Sequence, residues 1–167
     1  MIVIAILSLS GCGQRGGMGQ AREGGSAEGA CVLRDDIDVS NGIYFWKSVF
    51  KLNDYKETFL KIHKVRRLYV KMFDVVAEVE AGTGEKSVVP VATTRFVSSK
   101  PAAVGIIPTV YITLEALRLS CGKEPELAKN IVGRVLAMVS FNDLGPIESI
   151  QLDCDWTGST RYSYFSL

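Results

Sequence analysis

Histidine occurs once in this 167-residue chain, at position 63, and none of the four cysteines forms a Cys-x-x-Cys pair. A histidine-based nucleophile triad and a multi-histidine metal site are therefore excluded within the chain, as are the usual zinc and thiol-redox spacings. No Gly-x-Gly-x-x-Gly or P-loop occurs, and Gly82-x-Gly84 reads as a turn, so no nucleotide cofactor is indicated. An excess of charge is also missing. Nineteen Lys+Arg against eighteen Asp+Glu leave a net charge of +1. That balance gives no footprint for nucleic acid and no polybasic patch for anionic lipid. No apolar run reaches the roughly 20 residues a membrane-spanning helix needs. What remains is globular: 47% hydrophobic and 22% charged residues exclude wholesale disorder, and the length suits one domain.

The N-terminus reads as an address. Residues 2–9 (Ile-Val-Ile-Ala-Ile-Leu-Ser-Leu) have the size of a signal-peptide apolar core. Leu9-Ser10-Gly11-Cys12 follows, and it resembles the lipobox of bacterial lipoprotein signals: Leu, two small residues, then Cys. The resemblance implies removal of residues 1–11, a lipidated Cys12 and a cell-envelope location on the membrane. The sequence departs from the pattern in having no Lys or Arg ahead of the apolar run. A buried N-terminal strand with a chance Cys is the alternative. Residues 13–30 contain seven Gly and no aromatic, too little apolar surface to offset ordering entropy, so 12–30 is expected to be a flexible tether. Residues 31–167 form the folded part. Cys154 reads as a small core residue, and a Cys31–Cys121 disulfide stays open in an oxidising compartment.

Within the folded part, Ile43 to Phe50 reads as an aromatic strand. A helix starts at Asn53-Asp54, where Asp54 and Glu57 have capping-box spacing; it carries Tyr55, Phe59 and Ile62 on one face and ends near Lys64. Arg66 to Val76 is a strong strand, with Leu68, Val70 and Met72 on one side and Tyr69, Lys71 and Phe73 on the other. A hairpin is expected over 77–103, with Val88 to Phe96 as a strand and Pro90 at an edge. Val104 to Thr113 is the second strong strand. A helical turn at Leu114–Leu119 follows, then an amphipathic helix over 125–140. In it Leu127, Ile131, Val135 and Val139 recur at i+4, with Val132 and Leu136 alongside. Glu148 to Trp156 is the third strong strand, and Thr157 or Ser159 would cap a last helix.

Strand–helix–strand over 104–156 is a βαβ unit with parallel strands. The chain stops at Leu167 inside an apolar, aromatic helix pattern, which reads as the N-terminal piece of a longer protein. The expected fold is α/β: a partial (β/α)8 barrel, its first three parallel strands interrupted by a hairpin insertion. The stretches Arg67–Val75, Pro108–Thr113 and Gln151–Thr157, above all Asp153-Cys154-Asp155-Trp156-Thr157, resemble a group of uncharacterised Gram-negative lipoproteins with a glycoside-hydrolase-like barrel. The resemblance covers about 43–167 and implies that barrel, an envelope location and a carbohydrate ligand.

On the third strand, alternation turns Ile150, Leu152 and Cys154 to the helices, and Gln151, Asp153 and Asp155 inward. Asp155 and Trp156 stand at the C-terminal strand end, where barrel sites are built. A carboxylate beside an indole suits sugars, since it accepts hydroxyl hydrogen bonds while the ring covers C–H faces. The alternative is that Trp156 packs under the next helix and Asp155 caps it. Asp74 ends the first strong strand in the same sense and is the third binding candidate. For Asp153 a structural ion pair with Lys71 is the simpler role. Two residues on one strand separate their Cβ atoms by about 6.6 Å, too far for a retaining pair of glycosidase carboxylates, and both approach from one side. Asp-x-Asp resembles the middle of the chitinase-type Asp-x-x-Asp-x-Asp-x-Glu, but Ile150 and Thr157 replace its outer acids, so no catalytic residue is assigned. Tyr44, Phe45 and Trp46 read as core packing, with a sugar platform as the alternative. Functionally the sequence points to an enzyme or binder of carbohydrate. The rival readings are a glycan- or protein-binding lipoprotein without catalysis and an inactive fragment.

Overall fold

The computed structural model describes residues 41–167. The expected signal peptide, Cys12, the tether and Cys31 lie outside the described residues. Seven strands and four helices follow in the order β1 (Asn41–Phe45), β2 (Val49–Phe50), α1 (Asp54–Ile62), β3 (Val65–Val79), β4 (Lys86–Val91), β5 (Arg95–Phe96), β6 (Gly105–Ile112), α2 (Leu114–Leu119), α3 (Glu124–Phe141), β7 (Gln151–Asp153) and α4 (Arg161–Phe165). The main sheet runs β1-β3-β6-β7 with all neighbours parallel, and it curls into a half-barrel.

Four parallel strands are present among the described residues, where three were expected. The extra one comes from the stretch read as a single strand over 43–50. It breaks after Phe45: β1 joins the sheet beside β3, while β2 pairs in parallel with β5 in a separate two-stranded ribbon. Phe50 is the pin between the two, its ring 4.9 Å from Phe45 and 5.1 Å from Phe96. The long strand β3 carries two different partners along one edge. Its first half takes β1 in parallel and its second half takes β4 antiparallel, while β6 pairs along the opposite edge from Arg67 to Val75. The hairpin thus stands where a regular barrel would place a helix, and Pro90 lies on its outer strand, β4. The strand expected over Val88 to Phe96 is interrupted at Ala92, whose φ of 48° turns the chain away.

A β-bulge at Met72 reorganises the faces of β3. Lys71 pairs with Thr109 and Phe73 with the next residue, Val110, so Met72 has no partner on β6. Its carbonyl instead accepts from the Thr94 amide at 2.7 Å. A bulge residue advances the alternation by one. Leu68 and Val70 therefore share the helix-covered face with Phe73 and Val75, opposite Ile106, Pro108, Val110 and Ile112. This corrects the expected grouping of Phe73 with Tyr69 and Lys71. The remaining face, on the concave side, carries Tyr69, Lys71, Asp74, Ile107, Thr109, Tyr111, Gln151 and Asp153.

α3 buries the expected stripe of Leu127, Ile131, Val135 and Val139, but Val132 and Leu136 face solvent, so the apolar contact is one residue wide. The face expected for α1 is corrected too. Tyr55 and Ile62 are 77% and 69% exposed, and Leu60 is the residue that enters the core. Asn53 caps α1, accepting from the Lys56 amide. β7 is shorter than the strand expected over 148–156. Neither Thr157 nor Ser159 caps α4; Thr160 occupies the cap position, and its hydroxyl accepts from the Thr157 amide at 3.0 Å.

Candidate functional site

The register of three adjacent strands sets one row of side chains at the C-terminal end of the sheet. Asp74 on β3 lies opposite Tyr111 on β6, and Tyr111 lies opposite Asp153 on β7. Neighbouring strands stand about 4.8 Å apart, so this is a carboxylate–phenol–carboxylate row spanning about 10 Å. Asp74 belongs to it because of the bulge. Unbroken alternation puts residues i and i+3 of a strand on opposite faces. With Met72 looped out, Lys71 and Asp74 share the concave face and form an ion pair of 2.9 Å. The pair expected between Lys71 and Asp153 is therefore corrected: Lys71 serves Asp74.

The pair is largely enclosed, with Lys71 and Asp74 side chains 12% and 21% exposed. It uses one oxygen of Asp74. The other, Oδ1, is buried with no hydrogen-bond partner among the described residues. Buried carboxylate oxygens are nearly always satisfied, so this acceptor takes water or a ligand hydroxyl as its donor.

Electrostatics tie the rest of the row together. Burial raises the Asp153 carboxyl above its ordinary value, and the nearby Asp155 charge adds to the effect. Tyr111 is raised as well, by burial first and then by Asp155, Cys154, Asp153 and Asp74. The Cys154 thiol is pushed up to about 11, by burial and then by Asp155 and Asp153. A thiol held so far above neutrality stays protonated and is no nucleophile. Its packing against the core matches the small-apolar role expected of it. Asp155 itself is exposed beyond the end of β7.

Trp156 is half-buried and packs on α4, its ring 6.3 Å from Tyr164 in a stacked arrangement and 5.5 Å from Phe165 edge-on. The indole thus does the helix packing that was the alternative to a sugar platform, although Asp155 makes no cap. Tyr164 anchors α4 to the sheet by donating to the Leu152 carbonyl at 2.9 Å. Thr113 ends β6 by capping α2.

Aromatic rings of a different origin lie on the concave side. Tyr44 stacks on Tyr69 at 4.9 Å and takes Trp46 edge-on at 6.3 Å. Tyr44 and Trp46 remain 45% and 44% exposed, while Phe45 turns to the core. The expected core role thus holds for one of the three. Tyr69 and Tyr111 were not singled out from sequence. Tyr111 is reachable there, since it alternates with Thr109 on β6; Tyr69 was visible on the Lys71 face. His63 caps the C-terminus of α1, exposed beside Phe59. Among the described residues no three His, Cys, Asp or Glu side chains converge as metal ligands would.

Comparison of the chain with protein-family models, curated proteins and solved structures finds no match in any of the three.

Proposed function

We propose that the mouth of the half-barrel takes a carbohydrate, in an envelope-anchored lipoprotein whose scaffold is a (β/α)8 barrel of glycoside-hydrolase type. The observation that carries the reading is the row Asp74–Tyr111–Asp153, with the unpartnered Asp74 Oδ1 in it. Sugar hydroxyls are donors that such an oxygen lacks, and an oligosaccharide also needs flat apolar faces for its C–H surfaces. Tyr44 and Trp46 offer exposed rings on the same side, so they join Asp155 and Asp74 as binding residues. Trp156 contributes by holding α4 against the rim.

Asp153 belongs to the same row, two strands from Asp74, and burial raises its carboxyl above the ordinary value. It completes the row as a further acceptor for sugar hydroxyls.

The test is a glycan array on the full chain, followed by hydrolysis assays on each hit. Binding should fall at least tenfold in Asp74→Asn and in Trp46→Ala, and should weaken in Asp153→Asn. An array without a hit, or hits indifferent to Asp74→Asn, Trp46→Ala, Asp155→Asn and Trp156→Ala alike, would remove the carbohydrate reading. The anchor has its own test: palmitate labelling in a bacterial host should disappear in Cys12→Ala, and labelling that persists refutes it. Among the described residues no helix is long and apolar enough to cross a membrane. The attachment proposed here is the Cys12 lipid.

A further inference from the structure

The hairpin that replaces a helix leaves a cavity of about 290 Å3 on the convex side, between β4 and the α2–α3 pair. It is separate from the concave mouth, because the bulge turns Phe73 to this side and Asp74 to the other. Phe73, Leu127 and Ile131 form an apolar floor, each nearly or fully buried. Three cations line it against the single carboxylate of Glu126: Lys86 on β4, Lys123 at the N-cap of α3, and Arg134 eleven residues further along that helix, about 16 Å away by helix rise. Arg134 is held in place before any ligand arrives: its guanidinium lies 5.2 Å from the Phe73 ring centroid and Nη2 donates to the Thr93 hydroxyl at 2.9 Å. So held, Arg134 closes the end of the cavity away from Lys123.

We propose that this cavity binds a small amphipathic carboxylate, with its head group between Lys86 and Lys123 and its chain along Leu127 and Ile131 toward Phe73. Both halves of the ligand follow from the lining. An uncharged apolar molecule would gain nothing from the exposed Lys86 and Lys123 ammonium groups at the rim. A small inorganic anion would leave the floor wet. The volume sits at the lower end of ligand pockets, which run from about 300 to 1,000 Å3, so a medium-length chain fits and a full-length lipid does not.

The experiment is calorimetric titration of the full chain with octanoate, alongside octanol and acetate. Octanoate should bind one to one, and octanol and acetate at least tenfold more weakly. The paired variant Lys86→Ala/Lys123→Ala should weaken octanoate at least tenfold. Asn130→Trp, which places a ring in the cavity from an exposed position on α3, should abolish binding with the far-UV circular dichroism unchanged. Should Asn130→Trp misfold, the lysine pair decides alone. Absence of saturable octanoate binding overturns the proposal, as does octanol binding as tightly as octanoate, or an affinity unmoved by the lysine pair.

Discussion

Tyr44 on β1 and Gln151 on β7 are hydrogen-bonded to each other, although β3 and β6 lie between their strands. The Tyr44 hydroxyl donates to Oε1 at 3.1 Å and accepts from Nε2 at 3.0 Å. In a flat sheet these strands stand about 14 Å apart and their side chains rise side by side, so the tips never meet. The contact requires the sheet to curl until opposite side chains converge, which is how the interior of a small barrel is filled. Gln151 is 7% exposed, so its amide depends on Tyr44.

Tyr44→Phe should therefore destabilise the protein by about 1–3 kcal/mol, the cost of leaving a buried amide unpaired. Adding Gln151→Leu should recover part of that loss. Urea unfolding of the two variants checks this. A neutral Tyr44→Phe would mean the bond adds nothing to the curl.

The Lys71–Asp74 pair gives a second expectation. Lys71→Met or Asp74→Leu alone leaves one charge enclosed, and each should cost about 1–3 kcal/mol, less than a fully buried pair because both side chains keep some solvent contact. The double variant should cost clearly less than the sum. A double-mutant cycle on unfolding free energy measures this, and additive losses would show the two residues to be uncoupled.

The bulge can be tested by length as well as by side chain. Met72→Leu keeps the extra residue and should cost under about 1.5 kcal/mol. Deletion of Met72 should cost more, about 2–5 kcal/mol, because it removes a fully buried side chain and the carbonyl that takes the Thr94 amide; the pairs Lys71–Thr109 and Phe73–Val110 then follow each other directly, so Asp74 stays on the concave face. Thermal unfolding compares the two; a deletion as stable as Met72→Leu would mean the bulge residue contributes nothing to stability.

Two acids should respond to pH with opposite signs. Hydrogen bonds from its own amide, from the Gly122 amide and from the Ser163 hydroxyl hold Glu124 below its ordinary value. Its stabilisation is present above the ordinary carboxylate range and is lost as pH falls through the lowered value. Asp153 is raised, by burial and then by Asp155, so its contribution is present below the ordinary range and is lost as pH rises through the raised value. Melting temperatures should show Glu124→Gln less stable than wild type at pH 7, and Asp153→Asn more stable. Both differences should shrink near pH 3. The reverse order at pH 7 would contradict the assignments.

Much of the scaffold was legible in the sequence, and the failures have definite causes. α3 was readable because Leu127, Ile131, Val135 and Val139 repeat at one helical interval and all four are buried. β6 was readable because Ile106, Val110 and Ile112 sit at strand spacing between turn signals. The bulge was not, since Met72 and Phe73 are both apolar and both buried, and nothing in such a pair says that one has no partner. Lys71 was consequently assigned to Asp153. The break after Phe45 was hidden in a continuous aromatic run. Asp74 and Asp155 stand out by their position at strand ends. Tyr69 and Tyr111 carry no charge and no strand-end position to mark them, although alternation with Lys71 and Thr109 gives their face.

Amide-shift mapping of the isotope-labelled chain, titrated with the oligosaccharide that binds most tightly, tests the carbohydrate mouth most directly. Perturbations should centre on Asp74, Tyr111 and Asp153 and spread to Tyr44 and Trp46. Shifts confined to the convex side around Phe73 and Leu127, or spectra that no glycan changes, would contradict it.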